Sequence, residues 1–463
     1  MITVLPLETP GLGDRTYLAH DGEVALVVDP QRDYDRVLAL AEQAGVRITH
    51  VFETHIHNDY VTGGLALARE VGAAYLVNAD DEVSYARTPV RDGDEIAVGA
   101  MTVRVLHTPG HTHTHLSYAV GIGGEDDGAP VAVFTGGSLL YGATGRPDLL
   151  GPDHTETLVH AQWHSARRLA EALPDPTAVY PTHGFGSFCS ATPTSGEAST
   201  IGQEKRTNPA LTHAEQDYVD QLLAGLDAFP AYYAHMGPAN TAGPGAPDLS
   251  PPAVADPAEL RRRIDAGEWV VDLRDGTAFA AGHLAGSVNF GLRGQFATYL
   301  GWLIPWGTPV TLLGDTAADV AEAQRELVRI GIDRPAAMAT GDPQQWAGDD
   351  PLASFPRATF ADLAAALDTE TPPTVLDVRR DPERATAFIP GSAHVPIHQV
   401  LDRIAEIPDG PLWVHCAGGY RAGIVAALLR TRGWDVTAVD DAFAHAADSG
   451  VRLTTPTSED ITA

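Results

Sequence analysis

The chain has 463 residues, 44% of them hydrophobic, so its length predicts about three folded domains and its composition argues against intrinsic disorder. Its formal net charge is −31 and Lys205 is its single lysine, so its surface should repel nucleic-acid phosphates and anionic lipid headgroups. Because the sequence contains neither a run of about twenty apolar residues nor a basic segment followed by an apolar one at its start, we expect no membrane span and no signal peptide.

Cys189 and Cys416 are the two cysteines of the sequence, and they fall in different segments. Two separate thiols cannot form a disulfide framework, so each is predicted to be free. Free thiols suit a reducing compartment, and we expect a cytoplasmic protein.

The first part of the chain alternates β-rich apolar runs with amphipathic helical ones. The pattern predicts strands at 24–28, 48–52, 101–106, 131–134 and 178–180, and helices at 34–43, 64–71 and 155–173. Such alternation is typical of a layered α/β domain. From residue 193 to 252 the sequence becomes polar and rich in proline and glycine around one amphipathic stretch at 214–226. We expect an ordered extension and a linker there, so that the first domain spans 1–248.

Beyond residue 248 the chain repeats itself, because VVDLRDGTAFAAGHLAGSVNF matches VLDVRRDPERATAFIPGSAHV. At one constant offset the repeat aligns Asp272 with Asp377, Arg274 with Arg379, and Gly286 with Gly391. The repeat predicts two α/β domains, at 249–350 and 351–463. In their second halves Gly314 falls opposite Cys416, and Asp319 falls opposite Arg421. Only the second copy therefore carries a nucleophile.

The second copy places its cysteine in a turn between a predicted strand at 412–415 and a predicted helix at 421–430. The turn consists of Cys416, Ala417, Gly418, Gly419, Tyr420 and Arg421. Its small residues allow backbone N–H groups to face one point, and the helix N-terminus and the guanidinium add positive potential. Such surroundings lower a thiol pKa and hold the terminal sulfur of a persulfide, so we predict that Cys416 is a sulfur-carrying nucleophile and that Arg421 is catalytic with it. The other four residues of the loop are predicted to bind substrate. The alternatives are a phosphatase loop and a buried structural cysteine.

The motif CAGGYR, preceded by LDVR and PGSAHVP, resembles the active rhodanese family. In that family a short active loop marks sulfur transfer, and a longer one marks phosphatase-like relatives. The copy at 249–350 resembles a rhodanese domain without catalytic power, because Gly314 and Asp319 supply neither a nucleophile nor a cation. The resemblance implies a structural or docking role for that copy.

Four histidines lie where predicted strands run into loops. They are His55, His57, His111 and His183. Imidazoles at such strand ends can share a metal ion. The segments THIHND, HTPGHT, FTGGSLL, GRPDLL and PTHG together resemble the metallo-β-lactamase fold, and their fusion to two rhodanese-like domains resembles the persulfide dioxygenase–rhodanese family. The resemblance implies an α/β multidomain protein with an N-terminal αββα sandwich followed by two doubly wound α/β domains.

Members of that family oxidise a low-molecular-weight thiol persulfide with O₂ on Fe(II) held by two histidines and one aspartate. By motif the two histidines are His55 and His111. This chain departs from the family at two positions, with Gly137 in place of the aspartate and Tyr60 in place of the last histidine of HxHxDH.

The ligand types that remain still suit a metal. His55, His57 and His111 match the three-histidine first site of the generic fold, and Asp59 and His183 remain from the second site. We expect one divalent metal, Fe(II) or Zn(II). His113 and His115 are not expected to be ligands, because alternate residues of one extended segment seldom reach one point.

Cys189 follows His183 in the segment HGFGSFCS. In some fused persulfide-processing relatives a cysteine follows the equivalent segment, and the resemblance implies a second thiol that accepts a persulfide. The alternative is a small buried apolar residue.

The working hypothesis is a rhodanese-type sulfurtransferase fused to a persulfide dioxygenase-like domain, acting in sulfide or persulfide metabolism. Its partners would be a small-molecule thiol, a persulfide or thiosulfate. A second copy of the chain, in a homo-oligomer, is a further candidate partner. A second hypothesis is a sulfurtransferase whose N-terminal domain is a metal-poor binding or oligomerisation module. A third is a metal-dependent hydrolase of thioester-type bonds.

Overall fold

The computed structural model describes residues 1–122, 129–192, 194 and 196–455. The chain divides into two compact units, Met1–Asp248 with Leu327–Asp333, and Leu249–Glu326 with Arg334–Ala463. No helix in the described part of the chain has the length and apolar character that crossing a membrane requires.

The first unit contains two six-stranded sheets. The first sheet runs, in spatial order, through β1 (Thr3–Thr9), β2 (Asp14–His20), β3 (Val24–Val28), β4 (Arg47–Phe52), β5 (Ala74–Asn78) and β6 (Thr88–Val90). The second contains β7 (Glu95–Val98), β8 (Met101–His107), β9 (Leu116–Ile122), β10 (Ala132–Gly136), β11 (Ala178–Pro181) and β12 (Ser199–Thr200), in the order β12-β11-β10-β9-β8-β7. The helices of this unit are α1 (Asp35–Ala44), α2 (Gly64–Val71), α3 (Pro152–Ala172), α4 (Ile201–Thr207), α5 (Pro209–Thr212), α6 (Glu215–Ala224) and α7 (Tyr233–Ala242).

Apolar layers hold the first unit together. The two sheets share one core, in which the rings of Phe52 and Tyr118 have centroids 4.8 Å apart. On the outer face of the first sheet Val27 packs in one cluster with Leu67 of α2, and on the outer face of the second sheet Leu169 of α3 lies in the core. Each sheet therefore buries both faces, as a helix–sheet–sheet–helix sandwich requires. The predicted αββα fold is confirmed.

The elements that the sequence pattern predicts in this unit lie at or near their predicted positions. The strand Val24–Val28 and the helix Gly64–Val71 have the predicted bounds. The helix predicted from residue 155 begins earlier, at Pro152. Proline suits that place because the first turn of a helix has no partner for its N–H groups.

The second unit contains two parallel sheets, one for each copy of the repeat. The sheet of the first copy contains β13 (Trp269–Asp272), β14 (Val288–Asn289), β15 (Val310–Gly314) and β16 (Ala337–Thr340), in the order β14-β13-β15-β16. The sheet of the second copy contains β17 (Arg357–Ala358), β18 (Thr374–Asp377), β19 (Ala393–His394), β20 (Leu412–His415) and β21 (Val436–Val439), in the order β17-β21-β20-β18-β19.

Helices alternate with these strands in both copies. Those of the first copy are α8 (Pro257–Asp265), α9 (Gly276–Ala281), α10 (Phe296–Leu303), α11 (Ala317–Arg329) and α12 (Pro343–Ala347). Those of the second are α13 (Phe360–Leu367), α14 (Asp381–Arg384) and α15 (Tyr420–Arg430). Parallel strands joined by helical crossovers are the doubly wound arrangement that the repeat predicted, so this part of the fold class is also confirmed.

A buried ion pair closes the first crossover of each copy. Arg274 donates to Asp272, and Arg379 donates to Asp377 through Nε and Nη2 at 3.0 and 2.7 Å. Both aspartates are fully buried at the end of a central strand. Burial opposes ionisation of Asp377, but His415 and Arg379 outweigh it and lower its pKa to about 2.

The Asp377→Asn substitution should destabilise the second unit, because it leaves the buried Arg379 guanidinium without its counter-charge. We expect the free energy of unfolding at neutral pH to fall by about 3–5 kcal/mol. Urea unfolding followed by tryptophan fluorescence measures the change. Asp381, whose side chain is 69% exposed, offers the control Asp381→Asn, for which the change should stay within about 0.5 kcal/mol.

The same variant should reveal a pH dependence. A carboxyl whose pKa is lowered in the folded state stabilises the protein above its unfolded pKa of about 4, and that contribution is lost as the pH falls through the folded value. The stability difference between wild type and Asp377→Asn should therefore shrink between about pH 4 and pH 2. A difference that stays constant over that range would contradict this assignment.

Candidate functional site

The predicted histidines of the first unit lie in loops at the ends of strands. His55 and His57 follow β4, His111 follows β8, and His183 follows β11. All four are buried, and the ring centroid of His55 lies 4.1 Å from that of His57, 4.8 Å from that of His111 and 5.3 Å from that of His183. The loops of both sheets thus bring four imidazoles together.

Three of these rings present nitrogens to one another. Ligand atoms of His55, His111 and His183 all lie within 4.8 Å of one another, and the Nε2 atoms of His55 and His183 are 3.4 Å apart. His111 donates from Nδ1 to the carbonyl of Arg146 at 2.8 Å, and its Nε2 has no hydrogen-bond partner. Burial and the neighbouring histidines lower the pKa of His55 far below its ordinary value and that of His111 to about 3. Both rings are therefore neutral, as metal ligation requires, whereas Asp59 and Asp14 outweigh burial and raise the pKa of His183 well above its ordinary value.

His57 lies outside this trio, although the sequence analysis grouped it with His55 and His111. Its Nε2 is 3.0 Å from the Tyr60 hydroxyl, 3.3 Å from Asp29 and 3.4 Å from Glu53. Burial opposes its protonation, but Asp29 and Glu53 outweigh it and raise its pKa to about 9. The ring is held as a cation by two buried carboxylates, and Tyr60 supplies the hydroxyl beside it where the related motif has a histidine. Its ligand atoms also group with those of Asp59 and His183.

Asp14 was not anticipated from the sequence. It opens β2, and its Oδ1 accepts a 2.9 Å hydrogen bond from Nδ1 of His183. Asp59 Oδ2 lies 3.1 Å from the same nitrogen. Burial and the Asp59 carboxylate raise the pKa of Asp14 to about 7, whereas His183 outweighs burial and lowers the pKa of Asp59. No sequence pattern marks Asp14, because it precedes the histidine motifs and sits in no motif of its own.

The ring of His111 fills the space beside Gly137, where the related family has an aspartate side chain. A Cβ added at Gly137 would lie 2.6 Å from Cγ and 3.0 Å from Nε2 of His111. The Gly137 N–H donates to Nε2 of His115 at 3.0 Å, and Nδ1 of His115 pairs with Thr108. His113 does not join this group, because its Nε2 lies 3.0 Å from Nδ1 of His154. His111 thus takes the place of the missing side chain.

The electrostatics of this region fit a divalent cation. The carboxylates of Asp14, Asp29, Glu53 and Asp59 are all buried around the histidines. In the described part of the chain, these four carboxylates form ion pairs with histidine rings and with no lysine or arginine. Buried carboxylates require compensating charge, and a free imidazole nitrogen requires a partner. A metal ion supplies both.

Cys189 lies at the edge of the same cluster. Its thiol is fully buried and adjoins Asp59 and Tyr233. Burial and the negative charge of Asp59 raise its pKa well above the ordinary thiol value. The structure therefore places this cysteine beside the metal-binding residues.

In the second unit, Cys416 lies between β20 and α15. Only 1% of its surface is exposed, and the backbone N–H of Gly419 donates to Sγ at 3.1 Å. Gly419 has φ +89°, and a Cβ there would overlap Asp440. The loop needs glycine at this place to turn its amide onto the sulfur.

Arg421 pairs with a half-buried carboxylate. Its two terminal nitrogens each donate to one oxygen of Glu383 at 2.6 Å. Burial opposes its charge, but Glu383 outweighs it and raises the pKa of Arg421. The sequence analysis expected this guanidinium to cradle an anion in the loop, whereas the structure directs its donors to Glu383.

The copy without a nucleophile borders the Cys416 loop. The Tyr420 hydroxyl donates to the carbonyl of Gly291 at 3.0 Å, and the ring of Tyr420 lies 5.9 Å from that of Tyr299 in α10. Trp302 of the same helix stacks on His398 at 5.1 Å. One wall beside the loop therefore comes from the first copy.

The corresponding loop of the first copy is closed by its own carboxylate. Asp319, opposite Arg421, accepts from the backbone N–H of Thr316 at 2.9 Å and from its hydroxyl at 2.7 Å. This carboxylate caps the start of α11, where an anion would otherwise bind. The first copy has no nucleophile at this position, because Gly314 stands where the second copy has Cys416. Its helix start is already occupied by the Asp319 carboxylate.

Two family models match the chain. The metallo-beta-lactamase superfamily matches residues 11–183, and the rhodanese-like domain matches residues 256–349 and 359–445. A hydroxyacylglutathione hydrolase of Maricaulis maris is 33% identical over 191 residues, which cover 40% of this chain and 68% of that protein. The mitochondrial persulfide dioxygenase ETHE1 of Homo sapiens is 27% identical over 215 residues, which cover 46% of this chain and 76% of that protein.

A solved structure extends the similarity to the second unit. A metallo-beta-lactamase from Staphylococcus aureus is 28% identical, with a TM-score of 0.66, and the similarity covers 74% of this chain and 99% of that chain. The shared region is longer than the first unit alone.

The Gly137→Ala substitution tests whether His111 occupies the carboxylate space. The added methyl group should displace the His111 ring, so we expect a loss of about 1–3 kcal/mol of stability together with a lower metal content. Thermal unfolding and elemental analysis measure the two effects. Gly245→Ala is the matched control, because a Cβ there meets open space. Equal behaviour of the two variants would show that the space is free.

Proposed function

This chain belongs to the metallo-beta-lactamase superfamily and carries two rhodanese-like domains, and on that basis we propose that it is a sulfur-handling enzyme with a sulfurtransferase at its C-terminal end. We assign the metallo-β-lactamase-like domain to residues 1–248, the rhodanese-like domain without a nucleophile to 249–350 and the active one to 351–463. The observation that carries the proposal is the Gly419 amide hydrogen bond to the sulfur of Cys416 at the start of α15.

The proposed reaction is transfer of a sulfane sulfur. The Cys416 thiolate attacks the outer sulfur of thiosulfate or of a thiol persulfide, and a new S–S bond forms as the donor S–S bond breaks. Sulfite or a thiolate leaves with the electron pair. The Gly419 N–H stabilises negative charge on the sulfur, and α15 contributes its N-terminal dipole. An acceptor thiolate or cyanide then takes the outer sulfur and releases the Cys416 thiolate.

For the N-terminal domain we propose one divalent metal, Fe(II) or Zn(II). His55, His111 and His183 would hold it, with His57 and Asp59 beside them. When bound, the ion would supply Lewis acidity toward the sulfur or carbonyl oxygen of a small-molecule substrate. Because His55, His111 and His183 are all buried, the ion would be shielded from bulk solvent.

Persulfide oxidation is the first candidate activity of this domain, because the human relative has that name and because Cys416 would exchange sulfur with the same low-molecular-weight thiol. Cys189, beside the cluster, would serve as a second sulfur acceptor.

Both thiols are free, and we propose a cytoplasmic location for that reason.

Thioester hydrolysis is the second candidate. Replacement of the family carboxylate by Gly137 leaves three imidazoles, a ligand set that suits zinc and a metal-activated water. The Maricaulis maris relative is named a hydrolase, which supports hydrolysis as the activity of this domain.

Intact-mass analysis tests the sulfurtransferase. Wild-type protein treated with thiosulfate should gain the mass of one sulfur atom, and thiocyanate should form when cyanide is added. The Cys416→Ser variant should do neither, because the attacking sulfur is gone. Cys189→Ser is the control and should load Cys416 as wild type does. A wild-type protein that stays unmodified while folded would refute the role of Cys416.

Oxygen uptake and elemental analysis on one preparation test the N-terminal domain. We expect about one iron or zinc per chain, lost on chelation. O₂ uptake with glutathione persulfide would support oxidation, whereas hydrolysis of a thioester panel by Cys416→Ser protein would support the second candidate. A preparation without metal and without either activity would leave the domain as a binding module.

A further inference from the structure

The three imidazoles of the proposed metal site are each anchored through their other nitrogen. His111 donates from Nδ1 to the Arg146 carbonyl, and Nδ1 of His55 lies 2.9 Å from the Thr54 hydroxyl. His183 differs, because its Nδ1 lies against two carboxyl groups, with Asp14 Oδ1 at 2.9 Å and Asp59 Oδ2 at 3.1 Å. One of the three rings is therefore anchored by acidic side chains.

The backbone fixes Asp14 in this position. Asp14 and His183 form an antiparallel bridge, and the neighbouring Arg15 N–H donates to the carbonyl of Thr182 at 2.8 Å. Asp14 belongs to the first sheet, whereas His183 follows β11 of the second. Both side chains are buried, with 1% and 0% of their surfaces exposed. The carboxylate is thus held across the sandwich against the ring.

A carboxylate on Nδ1 has a defined effect on a ligating histidine. It keeps the proton on Nδ1, directs the lone pair of Nε2 toward the metal position and increases the basicity of the ring. Nε2 of His183 lies 3.4 Å from Nε2 of His55, so this nitrogen faces the other two rings of the proposed metal site. Oδ2 of Asp14 has no hydrogen-bond partner, so no donor in the described structure diverts it.

We propose that Asp14 is a positioning residue of the N-terminal metal site, acting through His183. The inference rests on the proposed metal site and adds a residue that lies outside the histidine motifs. In this chain Gly137 replaces the family carboxylate, and Asp14 places a carboxyl group behind the His183 ring instead of on the metal itself.

Cobalt binding to the full-length protein tests the proposal. The metal-free protein is titrated with Co(II) against a chelator, and the visible absorption of the bound ion is recorded. Asp14→Asn keeps the volume and one oxygen but removes the charge, and Asp14→Ala removes both. We expect Co(II) affinity to fall by about tenfold in the first variant and by up to about a hundredfold in the second, with a changed spectrum.

Glu204→Gln is the matched control. Glu204 is an equally buried carboxylate of the same unit, and it binds Asn208 and the Gly142 N–H. Its substitution should lower stability without changing the Co(II) spectrum or affinity. Asp14→Asn remains informative if Asp14→Ala does not fold.

The outcomes separate the two proposals. Wild-type affinity and spectrum in folded Asp14→Asn and Asp14→Ala proteins would overturn the role of Asp14 and leave the metal site standing. A wild-type protein that binds no Co(II) would overturn both. Circular dichroism and thermal unfolding of the same preparations show independently that each variant is folded.

Discussion

A buried carboxylate at the end of a central strand organises each unit, and its charge has to be matched locally because the protein interior solvates ions poorly. In the first unit Asp29, with φ +52°, accepts from the N–H and the hydroxyl of Thr54 at 2.7 Å each, and also from Thr182. One anion thus joins two histidine-bearing loops that come from different sheets. In the second unit Asp377 fixes the first crossover through Arg379. These two carboxylates therefore help to fix the positions of the loops in each unit.

The two rhodanese-like copies show how little separates an anion-binding loop from a closed one. Both place a strand, a tight turn and a helix N-terminus in the same order. In one copy the Gly419 amide meets the sulfur of Cys416, and in the other the Asp319 carboxylate fills the helix start and pairs with Thr316. Both copies keep the same fold because their buried strands provide the stability. The two copies differ in the residues of the turn, which determine the chemistry.

Periodicity and repetition were enough to predict a layered α/β first domain, several of its strands and helices, and the duplicated C-terminal domain, because these depend on local apolar patterns. The side-chain pairings of the sites were not predictable in that way. Asp14 and His183 are 169 positions apart, and Glu383 and Arg421 are 38 apart. Such pairs arise only when the sheets bring distant strand ends together, and no local pattern records them. The motifs identified which histidines gather, while Asp29 and Asp14, two of the buried acids that flank His57 and His183, lie outside those motifs.

The hydrogen bond from Tyr420 to the carbonyl of Gly291 couples the turn of the second copy to the backbone of the first. The first copy has no nucleophile of its own, yet its Gly291 carbonyl and its Tyr299 ring contact the residue beside Arg421. A substitution in the first copy can therefore alter the geometry of a loop that lies in the second.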